Sequence, residues 1–324
     1  MANRRSLPRH ARPAAPQCRP MNSLSPPDTQ VTRVRGLPPL ILLCLAATWL
    51  VWGSTYLAIK YALLSFPPFF QMGTRFLLAG IVLAAWMRWR GAPWPNRIEW
   101  RHALIVGTLM LGGGMGGTAY AELTVGSGLV VAFIAVVPLM ITGLNFLWGV
   151  VPGRYESAGI AVGLVGVLML TQGAGFRASP AGLAAIAIAC VTWSIGSVLC
   201  QRRMPLAAGA MGFASEMVCG GAVLLLISAI AGERPAWPPQ PLAAAAWLYL
   251  VVFGSLIAFN AYMVLLARAS AGLASSYTFV NPVIAMLLGV GVAGEIVTGF
   301  EWLSAGVVLA GVLLLLRGAL HSRG

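Results

Sequence analysis

The stretch SGLVVAFIAVVPLMITGL (127–144) is answered 144 residues later by AGLASSYTFVNPVIAMLL (271–288). The alignment sets Gly128 on Gly272 and Pro138 on Pro282. ESAGIAVGLVGVLML (156–170) then matches LSAGVVLAGVLLLL (303–316), and TWLVWGSTYLAIK (48–60) finds a fainter echo in ACVTWSIGSVLCQ (189–201). That echo puts Trp52 on Trp193, 141 residues apart, and the same offset puts Arg75 on Glu216. All these pieces lie in apolar runs of about 20 residues, the length that crosses roughly 30 Å of hydrocarbon as a helix. The chain is thus read as two copies of one unit. A copy with an odd number of crossings must face the opposite way from its mate, which is how inverted repeats surround a midplane site.

Composition agrees with a chain that lives in lipid. Of 324 residues, 59% are apolar and 9% charged, against about 25% charged in soluble domains. The net charge of +13 does not call for nucleic acid, because basic residues gather in loops on the inner side of a membrane. Cys18, Cys44, Cys190, Cys200 and Cys219 show no paired spacing, so they read as small membrane residues rather than a disulfide or metal framework. Residues 1–36 are rich in Pro and Arg, with Asp28 as the only acid, and read as a disordered cytoplasmic tail in which Met21 is an alternative start.

Ten spans follow from the apolar runs, at about 38–61, 68–88, 102–121, 126–149, 156–174, 180–200, 207–231, 242–266, 272–293 and 300–318. The expected fold is an all-α membrane protein, its ten transmembrane helices forming two inverted five-helix repeats, 38–174 and 180–318, around a central cavity. With both termini inside, the tail holds seven basic residues and the inner loops hold Arg88, Arg90, Arg97, Arg101, Arg154, Arg202, Arg203, Arg268, Arg317 and Arg323. The outer side holds only Lys60, Arg177 and Arg234. That bias places both termini in the cytoplasm.

WGSTYLAIK (52–60), RFLLAG (75–80), AELTVGSGL (121–129) and SYTFVNPVIAMLLGVGVAGE (276–295) resemble, in order, the ten-helix EamA-type exporters of the drug/metabolite transporter superfamily. The resemblance runs from about residue 40 to 318. It implies a bundle with a central cavity in a bacterial inner membrane, moving small organic solutes outward. One departure stands out, since the Trp52-Gly53 pair becomes Trp193-Ser194 in the second half, so the half-sites differ chemically.

On a helical wheel Trp49, Trp52, Tyr56 and Lys60 fall within an arc of about 80°. Trp49 and Trp52 lie mid-span, away from the interfacial aromatic belt. They read either as an aromatic cavity wall suited to flat or cationic solutes or as helix packing, and Trp193 shares that reading. Arg75 and Glu216 are ionisable residues inside spans, each costing at least ~2.5–3.5 kcal/mol unless paired or hydrated. Glu216 is the candidate for proton coupling, with a structural hydrogen bond as the alternative. Lys60 and Glu122 stand at matching outer depth, as a gate pair or as two separately hydrated charges. Tyr277 and Asn281 share one face beside Pro282; Pro282 and its mate Pro138 are expected to kink their helices. Asn260, Tyr262 and Tyr120 are further polar cavity candidates.

Three histidines, His10, His102 and His321, lie outside the spans, and no HExxH or metal-ligand cluster occurs. An enzyme is therefore not expected, nor a cofactor. The reading is a secondary-active, alternating-access inner-membrane exporter of small organic metabolites, such as amino acids or drug-like amphipathic compounds. Its partners are the solute, the bilayer and the proton gradient, and a monomer is expected. A channel, a non-transporting scaffold, or uptake rather than export are the alternatives.

Overall fold

The computed structural model describes residues 37–125, 130, 133–170, 172, 179–293 and 298–321. The tail 1–36, Gly128, Arg177, Glu295 and Arg323 lie outside them. Among the described residues the chain is helical, without strands. Helix α1 is Pro39–Ala62, α2 Pro68–Trp89, α3 Arg97–Ala121, α4 Val137–Trp148 and α5 Arg154–Leu170. Then come α6 Pro180–Arg202, α7 Ala210–Ile230, α8 Pro241–Arg268, a single turn at Ala271–Ala274, α9 Tyr277–Ala293 and α10 Gly299–His321. Seven of these (α1, α2, α3, α6, α7, α8 and α10) are long and apolar enough to cross a membrane. The described parts of α5 and α9 have 17 residues each.

Local chemistry explains where the helices start. Proline opens α1, α2, α6 and α8, at the turn where its missing N–H leaves nothing unpaired and its fixed φ is already helical. Asn96 caps α3, accepting from the N–H groups of Ile98 and Glu99, while Glu99 reaches back to the Asn96 N–H. The free N–H groups of Phe69 and Phe70 at the start of α2 are taken up from another loop, by the two carboxylate oxygens of Glu233 at 3.1 and 2.7 Å. Pro138 departs from the expected kink: it stands in the first turn of α4, after a break at Ala135–Val136. Proline is favoured there and distorts nothing. Pro282 does lie inside its helix, α9.

Repeat-equivalent helices touch. On α2 and α7, Gly73 faces Leu225, Leu77 faces Gly221 and Gly80 faces Ala214 and Val218. As numbers rise on one helix they fall on the other, so the pair is antiparallel. The same holds for α5 and α10, where Gly159 faces Leu315, Gly163 faces Gly311 and Gly166 faces Val308. A Cβ on Gly311 would lie 2.5 Å from the Gly163 nitrogen, so these backbones are in contact and only glycine fits.

The third helix of each set carries a π-helical segment, Thr108–Met115 in α3 and Leu250–Phe259 in α8. Thr108 and Leu250 are 142 residues apart, within the spacing of the repeat. The segment of α3 packs on α6, and that of α8 packs on α1. Each π segment therefore leans on the tryptophan-bearing helix of the other half.

Candidate functional site

Where these crossings meet, four aromatic rings close on one another. The Trp52 ring centroid lies 5.9 Å from Trp193, 5.3 Å from Tyr262 and 4.6 Å from Tyr277. Trp193 is 5.2 Å from Tyr262, and Tyr262 is 5.5 Å from Tyr277. The pairs Trp52–Trp193, Trp52–Tyr277 and Tyr262–Tyr277 are edge-to-face, the geometry that matches the positive ring edge to the negative ring face. All four side chains are buried.

Each polar tip has a partner that fixes the ring. Trp52 Nε1 donates to the Gly254 carbonyl at 3.3 Å, in the π segment of α8. Trp193 Nε1 donates to the Tyr262 hydroxyl at 3.2 Å, which also pairs with Ser197 Oγ at 3.0 Å. On the α3 side the Trp193 ring lies against Gly114, where a Cβ would come within 2.9 Å of it.

Beside the cluster opens a cavity of about 60 Å³. Trp52, Tyr56, Trp193, Tyr277 and Asn281 line it, as anticipated, joined by Thr55, Thr118, Met115 and Cys190. The wall is mostly apolar, with a few hydroxyls and the Asn281 amide, both of whose polar atoms are buried without a partner. A second cavity of about 120 Å³ lies further along α4 and α6, between Thr142, Asn145, Glu156, Gln201 and Arg202. There Arg202 donates to Asn145 Oδ1 at 3.1 Å and Gly272 N–H to Glu156 Oε1 at 2.7 Å.

Five expected cavity residues stand elsewhere. Trp49 shares the wheel face of Trp52, yet its Nε1 donates to Ser276 Oγ at 3.0 Å, in the link before α9. Tyr120 is 37% exposed and stacks on Phe69 with centroids 5.9 Å apart. Asn260 turns its amide back onto the carbonyls of Ser255 and Leu256. Arg75 is fully buried behind the wall, its Nε donating to Ser255 Oγ at 2.9 Å and its guanidinium 4.5 Å from the Phe76 ring. Glu216 is also fully buried, and neither carboxylate oxygen has a hydrogen-bond partner.

At the outer ends, Lys60 is exposed and Glu122 partly so, with Glu122 Oε1 buried and unpartnered. Burial pushes the Glu122 carboxyl up to about 8, against the pull of Arg75 first and Lys60 second. The stronger electrostatic partner of Glu122 is thus Arg75, which a pairing by depth alone did not reveal.

Comparison with known proteins fits this arrangement. The EamA-like transporter family model matches the chain twice, over residues 39–172 and 180–317. The chain is 40% identical over 287 residues to the inner membrane transporter YedA of Escherichia coli (strain K12), covering 88% of this chain and 93% of that one. It is 28% identical over 242 residues to protein PecM of Dickeya dadantii (74% and 80% covered) and 27% identical over 283 residues to a chloroplastic WAT1-related protein of Arabidopsis thaliana (83% and 68%). A crystal structure of a protein 22% identical superposes with a TM-score of 0.70 over 86% of this chain and 98% of its own; that likeness speaks for the fold. With two family matches filling the helical part and a transporter at 40% identity over nearly its full length, the chain belongs to the EamA-like transporter family and is a membrane transporter.

Proposed function

We propose that the protein is a secondary-active, alternating-access exporter of small organic metabolites in a bacterial inner membrane, with both termini cytoplasmic. Ten spans form two inverted repeats, 38–174 and 180–318, and the solute sits between them against the aromatic cluster. The observation that carries this reading is the cavity wall itself, where Trp52 and Trp193, repeat mates 141 residues apart, line one space from opposite sides. The antiparallel seams of α2 with α7 and α5 with α10 support it, since a two-fold axis in the membrane plane relates helices in that way. So do the π segments at matching positions, a local distortion frequent at working sites.

The lining suits amino acids or drug-like amphipathic compounds, with rings to stack on and few polar groups to orient. Glu216 supplies the proton-coupled site: a carboxyl buried without a partner is costly as an anion and inexpensive as an acid, so its charge tracks the conformation around it. Arg75, Glu122 and Lys60 make an outer charge cluster that rearranges when the outer mouth opens. Solute counterflow in proteoliposomes is the test. Trans-stimulated flux is expected; a channel gives flux without trans-stimulation, and a scaffold gives none. Trp52→Ala is expected to lower the flux at least tenfold, and Glu216→Gln to remove its dependence on the proton gradient. Unchanged behaviour of both variants would show the site to be wrongly placed.

A further inference from the structure

Arg75 poses a problem that the transport reading leaves open. Its guanidinium has no exposed surface, yet only Nε is paired, to a neutral serine. Both terminal nitrogens, Nη1 and Nη2, are buried and without a hydrogen-bond partner. One turn earlier on α2, Gln71 is fully buried with its amide oxygen and nitrogen equally unpartnered. A guanidinium keeps its charge in a protein, and a buried charge with no partner is strongly unfavourable. The acid whose charge acts on Arg75 is Glu122, and no hydrogen bond joins the two.

The space in front of the fork is set by a glycine. A Cβ on Gly254 would stand 3.5 Å from Arg75 Nη2 and 3.5 Å from Thr55 Cγ2. Glycine leaves that room empty, between the guanidinium and a residue of the cavity wall. The Gly254 carbonyl meanwhile holds Trp52, so the fork lies one residue behind the aromatic cluster.

We propose that Arg75 is the anchor for a carboxylate on the transported solute, reached past Gly254, while the solute's ring or apolar body rests on Trp52, Trp193 and Tyr277. This rests on the transporter reading above and names its substrate class, aromatic or apolar carboxylic acids. The two free terminal nitrogens form the planar pair that a carboxylate accepts in bidentate fashion, and Gln71 supplies a further donor. Between transport events the charge of Glu122 partly offsets that of Arg75 from a distance.

The test is equilibrium binding to the purified full-length protein in nanodiscs, followed by tryptophan fluorescence. A matched pair of probes is used, N-acetyl-tryptophan and its uncharged amide. Hydrogen bonds to a charged group are worth about 1.5–3 kcal/mol, so the acid should bind roughly 10- to 100-fold more tightly than the amide. Arg75→Gln should bring the ratio to about one while leaving amide affinity unchanged. Arg75→Lys keeps the charge and loses the fork, so its ratio should fall several-fold; this variant carries the test if Arg75→Gln does not fold. Equal binding of acid and amide by the wild type, or an unchanged ratio in the variant that folds, overturns the proposal. Counterflow with the same probes separates the two readings. Arg75-dependent acid binding without counterflow leaves the anchor standing and removes transport. Counterflow of the amide as fast as the acid leaves transport standing and removes the anchor.

Discussion

Removing the hydroxyl of Tyr262 by Tyr262→Phe probes the aromatic cluster with almost no change in shape. The side chain is fully buried, so water cannot replace what is lost. Two groups lose a partner, Trp193 Nε1 at 3.2 Å and Ser197 Oγ at 3.0 Å. Ser197 has a fallback, since its hydroxyl also points at Met110 Sδ at 4.0 Å, a weak acceptor. The indole N–H of Trp193 has none recorded, and an orphaned buried donor costs about 1–3 kcal/mol. Allowing a few tenths more for Ser197, the variant should be destabilised by about 2 kcal/mol, read as a lowered midpoint of thermal unfolding in detergent. A double-mutant cycle isolates the cause. In a Trp193→Phe background the donor is gone, so Tyr262→Phe should cost about 1 kcal/mol less than in the wild type. Additive effects, or a variant within about 0.5 kcal/mol of the wild type, would refute the claim that this hydrogen bond fixes the Trp193 ring.

Two contrasts test other parts of the structure. Gly311→Ala forces a Cβ to 2.5 Å from the Gly163 nitrogen and 2.9 Å from the Gly159 carbonyl. Backbone must move, so a loss of about 1–3 kcal/mol is expected. Gly306→Ala on the same helix meets nothing within 4 Å and should gain up to about 1 kcal/mol from helix propensity. Equal melting shifts for the two would contradict the seam. Glu122 gives a pH effect. With its carboxyl raised to about 8, the folded protein holds a proton that the unfolded chain releases near the ordinary value. That contribution is fully present below the unfolded pKa and is lost as pH rises through about 8. Melting followed from pH 4 to 9 should therefore decline less steeply in Glu122→Gln than in the wild type, and identical slopes would remove the burial argument.

The helices were largely readable because proline marks their starts and apolar runs mark their lengths. Trp52 and Trp193 were readable as a pair through the repeat. What sequence could not supply was direction and long-range partnership. The wheel groups Trp49 with Trp52, but α1 faces both the cavity and the link before α9, and the two indoles go to different neighbours. Thr55, Thr118 and Cys190 line the cavity with side chains too ordinary to single out. The Ser255 partner of Arg75 lies 180 residues away, and no local pattern announces it. The π segments are drawn from Gly- and Leu-rich sequence that reads equally well as α-helix, and their positions follow only from packing against the opposite half. Pro138 matched Pro282 in alignment, but the break before α4 turns it from an interior residue into a first-turn residue.

The two kinds of contact between the halves also differ in how readily they can change, and this bears on how transport would proceed. Along the seams of α2 with α7 and α5 with α10, backbone lies against backbone. No rotamer change there can absorb a shift, so such seams move as rigid pairs or not at all. At the crossings of α1 with α8 and of α3 with α6, contact is made by tryptophan on a π segment. Side chains can re-seat there, and a π segment already carries irregular hydrogen bonding that can migrate along its helix at low cost. The conformational exchange of the proposed cycle should therefore concentrate at the two tryptophan crossings, with the glycine seams as fixed axes. The two crossings are not equivalent, because Trp52 is tied to a backbone carbonyl and Trp193 to the Tyr262 hydroxyl. A single side-chain rotation frees Trp193, whereas freeing Trp52 requires α8 itself to shift. The Trp193 crossing is thus the one expected to open first. Distance measurements between spin labels spanning α3–α6 and α1–α8 should show the wider distribution at α3–α6, and the reverse order would contradict this reading of the hydrogen bonds.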